Sequence, residues 1–208
     1  MDFCDLAADS VKFAKILYPK DKIITEFKDS QKVYLTFDDG PTPEVTPWVL
    51  DTLDKYQIKA TFFVLGKNVA EHPELYSEII KRGHAVGNHT FSHLKGFKVD
   101  TNTYLKDIEL ASKLIDTNLF RPPYGRIKRS QLKALSPKMK IILWTVISCD
   151  YEQKITPERV FEIVSKRIKP GSIIVFHDSK KAEKNMKPAL EMLLTEFTEI
   201  MEFDKIVL

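Results

Sequence analysis

The sequence predicts an α/β fold with a parallel sheet, best accounted for by a small or incomplete (β/α) barrel. Three observations predict it. Short β-rich apolar runs alternate with amphipathic helical stretches along most of the chain. Several runs are continuously apolar, as expected of parallel strands covered on both faces. Polar clusters fall where the strand candidates end, and in a parallel barrel those ends share one face, where active sites are built. A doubly wound open sheet is the runner-up.

The strand candidates are 33–37, 60–65, 84–87, 119–121, 141–146 and 173–176, with a short last one at 205–208. Between them lie helices with recognisable starts. Thr46-Pro47 opens one with Val49, Leu50, Leu53 and Tyr56 on a single face. Pro73 opens another, with Leu75, Ile79 and Ile80, and Gly83 stands past its end. Residues 101–116 present Leu105, Ile108 and Ile115 inward, and Thr156-Pro157 begins a helix bearing Val160, Phe161, Val164 and Ile168. Pro188 starts the last, with Leu190, Leu193, Leu194 and Phe197. Proline at the first helical position and glycine beyond the last are ordinary helix punctuation.

The chain has 208 residues, 43% of them hydrophobic, enough for one domain with a single core. No linker, repeat or low-complexity segment divides it, so we read 1–208 as one domain with 1–31 as an N-terminal extension. Thirty-two basic against 29 acidic residues leave a net charge of only +3. Basic residues at 126–133 and 180–187 read as solvated surface. No basic helix with interleaved aromatics suggests nucleic-acid binding. Cys4 and Cys149 have no metal-ligand spacing and make no disulfide framework. Residues 1–9 are acidic and lack the apolar core of an export signal, and no run is long enough to span a membrane. As given, the chain reads as cytoplasmic.

The polar clusters carry the chemistry. Strand 33–37 runs into Asp38-Asp39-Gly40, and 84–87 runs into Asn88-His89-Thr90-Phe91-Ser92-His93. Strand 119–121 ends in Arg121-Pro-Pro-Tyr124, 141–146 leads to Asp150-Tyr151, and 173–176 runs into His177-Asp178. Three of the five histidines lie between 84 and 93. On a helical turn His89 and His93 would share a face, so both could reach one cation. A catalytic zinc-type site needs a third protein ligand. Asp38 and Asp39 offer it: on an extended segment their side chains diverge, one to a metal and one to the substrate side. The prolines after Arg121 stiffen a loop holding its charge. Asp150 and His177 can form a carboxylate–imidazole pair. His84 reads as a locally hydrogen-bonded residue at a strand start, His72 as a surface helix residue, and Trp48 and Trp144 as core.

In this order the motifs resemble those of the polysaccharide deacetylases, the NodB-homology family or carbohydrate esterase family four, from about Lys32 to the end of the chain. Thr36-Phe-Asp-Asp-Gly40, His89-Thr-Phe-Ser-His93 and Arg121-Pro-Pro-Tyr124 are similar to its first three motifs, and Val175-Phe-His177 to its fifth. The fourth, Asp-x-x-Asp-Trp, departs: Ile147 stands for its first Asp and Tyr151 for its Trp. That bears on the contacts around Arg121 and on the pocket wall.

The resemblance implies a distorted (β/α) barrel of seven or eight parallel strands and a metal-dependent hydrolase that removes N-acetyl groups from a carbohydrate and releases acetate. It implies Asp39, His89 and His93 as ligands of one divalent ion, zinc first, with cobalt or nickel as alternatives. Asp38 would be the general base, held by Arg121, and His177 the general acid, oriented by Asp150. The Tyr124 amide would stabilise the oxyanion, while Val175 and Tyr151 would line the acetyl pocket. The expected partner is an acetylated glycan such as peptidoglycan or chitooligosaccharide, and the resemblance admits a cell-envelope location. The alternatives are a hydrolase of cyclic amides on the same fold and a non-catalytic glycan-binding homologue.

Overall fold

The computed structural model describes residues 18–19 and 22–208. Cys4 and the acidic stretch 1–9 lie outside the described residues. Eight strands follow the order β1-β6-β5-β4-β3-β2-β8-β7, all parallel: β1 Ile23–Ile24, β2 Val33–Asp38, β3 Thr61–Val64, β4 Ala85–Asn88, β5 Leu119–Phe120, β6 Lys140–Ile142, β7 Val146–Ile147 and β8 Ile173–His177. A ninth, β9 Phe203–Asp204, pairs with the start of β2. The sheet's two ends meet: Phe27 N–H donates to Gly171 O, and Thr145 Oγ1 donates to Thr25 O while accepting from Ile173 N–H. The barrel expected from the sequence is thus present.

Strand periodicity sorts the side chains. Leu35, Phe37, Phe62, Val64, Ile174 and Phe176 join the core beneath the helices, while Phe63, Ile173 and Val175 join a second core on the other face. Thr36 and Asp38 alternate with Leu35 and Phe37, and His177 with Phe176, so all three share the second face. Strand register sets Asp38 beside both Phe63 and His177.

The described helices are α1 Thr46–Lys55, α2 Gly66–Glu71, α3 Pro73–Lys81, α4 Thr101–Ser112, α5 Arg129–Leu135, α6 Pro157–Ser165 and α7 Glu183–Phe197. Thr156 caps α6 by accepting from Arg159 N–H, and Asp100 caps α4 through Thr103 N–H.

Four expectations need correction. Helix α7 begins five residues before Pro188, which lies inside it, because buried Asn185 and Met186 anchor an earlier turn on Ala182. The run 141–146 is two strands rather than one. Its break at Leu143–Thr145 turns the carbonyls of Ile142 and Leu143 onto the Arg121 side chain. The last strand lies at 203–204, where it pairs with β2, and Ile206 is a buried plug whose N–H donates to Thr61 Oγ1. Ile23 and Ile24, inside the stretch set aside as an extension, are an integral strand paired with β6. Helices α2 and α5 are short elements whose periodicity is too brief to read.

Candidate metal centre and catalytic site

The loops leaving β2, β4, β5, β7 and β8 converge, and they bring every candidate site residue to one end of the barrel. Their backbones are unusual. Six described non-glycine residues have positive φ, and five belong to these loops: Asp39 (81°), Thr90 (69°), His93 (58°), Tyr124 (61°) and Cys149 (61°). Such conformations persist only where surroundings enforce them, and they gather at functional sites.

Asp39, His89 and His93 each offer one ligand atom, and these atoms lie within 4.8 Å of one another. Among the described residues they are the one such group. The spacing predicts a shared helical face for the two imidazoles, and the structure corrects this. They project from an irregular loop bent by Thr90 and His93, with ring centres 5.2 Å apart. Nor is Asp39 extended: its left-handed backbone, not strand alternation, turns it away from Asp38.

The turn at Asp39 is held from two sides. Asn68 Nδ2 donates to its carbonyl at 2.8 Å, and the next amide, Gly40 N–H, donates to Asp178 Oδ1 at 3.0 Å. Asp178 is wholly buried, and its other oxygen accepts from Thr46 Oγ1 at 2.6 Å. Burial pushes the Asp178 carboxyl up to about 7, with the nearby Asp39 charge adding to the rise. A Cβ on Gly40 would fall inside the Asp178 carboxylate, so only glycine fits.

The donors suit a divalent ion. Asp39 Oδ1 is buried and has no hydrogen-bond partner, yet it lies 3.2 Å from His93 Nε2 and 3.6 Å from His89 Nε2. A buried orphan acceptor facing two imidazole nitrogens is the arrangement a cation resolves. His89 Nδ1 lies 2.7 Å from Arg121 O, which makes Nδ1 the donor and selects the tautomer whose Nε2 can ligate. Burial lowers His93 to about 4, so it is neutral, as a ligand must be.

Asp38 meets Arg121 Nη1 at 2.6 Å. Arg121 has no solvent exposure, and its other bonds go to Thr36 Oγ1 (2.8 Å), Ile142 O (3.3 Å) and Leu143 O (3.2 Å). Its guanidinium stacks 3.9 Å from the centre of the Phe63 ring. Burial lowers the Arg121 pKa against the opposing pull of Asp38. Ile147 pairs across to Val175, and the donors of Arg121 go to Asp38, Thr36 and main-chain carbonyls.

On the other side, Asp150 Oδ1 lies 2.7 Å from His177 Nδ1, and Oδ2 accepts His177 N–H at 2.8 Å. Burial opposes charge on His177, but Asp150, aided by Asp39 and Asp38, overcomes it and raises the imidazole to about 9. Tyr151 stands edge-on to His177 at 5.1 Å. Val175 is buried two residues before His177, on the same face. Tyr124 is half exposed, its ring 4.8 Å from that of His93.

His84 is structural, as read: its Nδ1 accepts Ala60 N–H, and burial lowers it to about 4. His72 sits at the boundary between α2 and α3, and Trp144 is buried. Sequence reasoning missed Thr36, Asn68 and Asp178. Asp178 had a signal, since it directly follows His177 at a strand end; Asn68 had none.

The model of the family described as polysaccharide deacetylase matches residues 26–138, just over half the chain. The chain belongs to this family. It is 36% identical over 155 residues to a peptidoglycan-N-acetylglucosamine deacetylase of Bacillus cereus, covering 71% of this chain and 56% of that protein. It is 35% identical over 158 residues to a chitooligosaccharide deacetylase of Bradyrhizobium, covering 72% and 71%. The fold superposes on a crystal structure of a peptidoglycan N-acetylglucosamine deacetylase with a TM-score of 0.80 at 28% identity, over 91% of this chain and 95% of that one. The chain spans about half the length of the first of these relatives. No helix among the described residues is long and apolar enough to cross a membrane.

Proposed function

We propose that this chain is a zinc-dependent hydrolase that removes N-acetyl groups from an acetylated glycan. The observation that carries the reading is the buried, unsatisfied Asp39 Oδ1 facing the Nε2 atoms of His89 and His93, with an acid–base pair on either side. The family's named members, deacetylases of peptidoglycan and chitooligosaccharide, support the choice of substrate class. Two imidazoles and one carboxylate suit zinc, with cobalt and nickel as substitutes.

An ion held by Asp39, His89 and His93 would supply Lewis acidity at the amide carbonyl and the attacking water. Asp38, held and aimed by Arg121, takes the proton of that water. Asn68 and Asp178 hold the Asp39 turn in its ligand-presenting shape. The main-chain amide of Tyr124 donates to the developing oxyanion, a contact of a kind often worth ~3–4 kcal/mol. His177 is charged below about pH 9 and carries its proton on Nε2, because Nδ1 is engaged by Asp150. It gives that proton to the leaving amine, a step commonly contributing ~10²–10⁴-fold. Acetate and an amino sugar leave. Val175 and Tyr151 confine the acetyl methyl.

Hydrolysis of N-acetylglucosamine oligomers, acetylated glycan strands and small cyclic amides tests the reading, followed as acetate for the glycans and as ring-opened product for the cyclic amides, each with and without chelator. Chelator-sensitive acetate release from a glycan supports it. Hydrolysis confined to the cyclic amides, or none from any member of the panel, refutes it.

A further inference from the structure

Beside the metal centre two loop segments run together, 95–97 after β4 and 124–126 after β5. They are joined by two matched contacts. Lys95 Nζ lies 4.7 Å from the Tyr124 ring centre, and the Arg126 guanidinium 5.6 Å from that of Phe97. The pairs are two residues apart on both segments and alternate in sense, cation over aromatic and then aromatic under cation. All four side chains are exposed, Phe97 by 37% and Tyr124 by 49%. The ladder starts at the site itself, since the Tyr124 ring centre lies 4.8 Å from that of His93, tilted against it.

The segments are fixed in advance. Gln131 Nε2 donates to Gly96 O at 2.9 Å, and Lys128 Nζ to Val99 O at 2.6 Å. A Cβ on Gly96 would meet the Tyr104 ring at 2.8 Å, so the segment lies flat on its support. Among the described residues neither Lys95 nor Arg126 forms an ion pair with a carboxylate. Each cation rests on a ring and keeps its outward hydrogens for another acceptor. Aromatic faces with a few placed polar groups are what a sugar subsite requires: rings meet the C–H face of a pyranose, and the cations meet its anionic substituent.

We propose that Lys95, Phe97, Tyr124 and Arg126 form a subsite for a sugar residue bearing a carboxylate, so that the enzyme selects acidic acetylated glycans over neutral ones. The proposal rests on the glycan-deacetylase reading and adds the class of glycan. The basic residues at 126 thus have a second role besides solvation.

The test uses two glycan strands of equal length, alternating N-acetylglucosamine with N-acetylmuramic acid. One carries free lactyl carboxylates, and in the other they are converted to methyl amides. Their Kd is measured by calorimetry on the zinc-loaded Asp38→Asn protein, and KM and kcat on wild type. Wild type should prefer the acidic strand, and added salt should erode that preference. The Lys95→Gln, Arg126→Gln double variant should raise Kd and KM for the acidic strand by up to about tenfold, the amount two surface charges support, and should bring the two strands level. Phe97→Ala should weaken both strands alike. Thermal unfolding of the same preparations confirms that these exposed substitutions leave the fold intact. Equal binding of the two strands by wild type, or an unchanged ratio in the double variant, overturns the subsite. If acetate is released from neither strand while the binding ratio behaves as stated, the deacetylase reading falls and the subsite stands.

Discussion

Asp150 grips His177 at two points. One carboxylate oxygen lies 2.7 Å from the ring Nδ1, and the other accepts the main-chain N–H of the same residue at 2.8 Å. The double contact fixes both the backbone and the ring, so Nε2 is the only titrating nitrogen directed at the site. A buried histidine without this partner would lose its charge, since burial is the largest influence on it and acts downward.

Asp150→Asn should therefore drop the His177 titration from about 9 to below its ordinary value of 6.5. The linkage follows in sign. Because the folded value exceeds the unfolded one, the pair adds stability in full below pH 6.5, and the gain is lost as pH rises through about 9. NMR titration of the metal-free protein reads the shift directly. In turnover the alkaline limb of the pH profile should move to lower pH. An unmoved titration would show that Asp150 does not govern the proton on His177.

Asp38 and Asp39 are neighbours with separable consequences. Asp38 is the carboxylate bonded to Arg121, a side chain with no exposure. Asp38→Asn should leave that charge uncompensated, costing about 3–5 kcal/mol of stability along with most turnover, while metal content persists. Asp39→Asn should lose the ion and leave stability of the metal-free protein nearly unchanged. Elemental analysis and denaturant unfolding of both variants decide the matter; exchanged phenotypes would exchange the roles.

Asp178 should behave as a positioning residue. Its carboxylate accepts from Gly40 N–H and Thr46 Oγ1 and so fixes the left-handed turn at Asp39. Asp178→Ala should weaken zinc affinity by about tenfold, the equivalent of one lost hydrogen bond or so. Gly40→Ala should do the same, because its methyl displaces the Asp178 carboxylate. Competition with a chromogenic chelator measures both, and wild-type affinity in each would remove the turn from the account.

What could be read in the sequence was local. Short-range motifs such as Asp38-Asp39-Gly40 and His89 to His93 sit on adjacent residues, and strand endings align them without any tertiary knowledge. What escaped was long-range. Thr36 matters because Arg121, 85 residues away, reaches it. The break between β6 and β7 exists because the same arginine draws two carbonyls out of the sheet. Pro188 looked like a start signal, and burial of Asn185 and Met186 overrode it. Asp and His are enriched among non-glycine residues at positive φ, but that preference is too weak to place the left-handed backbones of Asp39 and His93 from residue type alone. Strain of this kind is enforced by neighbours, and only the folded chain reveals them.

The central claim is that Asp39, His89 and His93 hold an ion on which glycan deacetylation depends, and one paired measurement tests it most directly. Metal content and acetate release are determined on the same preparations of wild type and of the His89→Ala, His93→Ala double variant, with circular dichroism confirming the fold of each. Wild type should carry about one divalent ion per chain, as a three-ligand catalytic site would hold. Its acetate release should be abolished by chelator and restored by zinc, and the folded double variant should have neither ion nor activity. A folded double variant that lacks the ion and still releases acetate at the wild-type rate would contradict that claim.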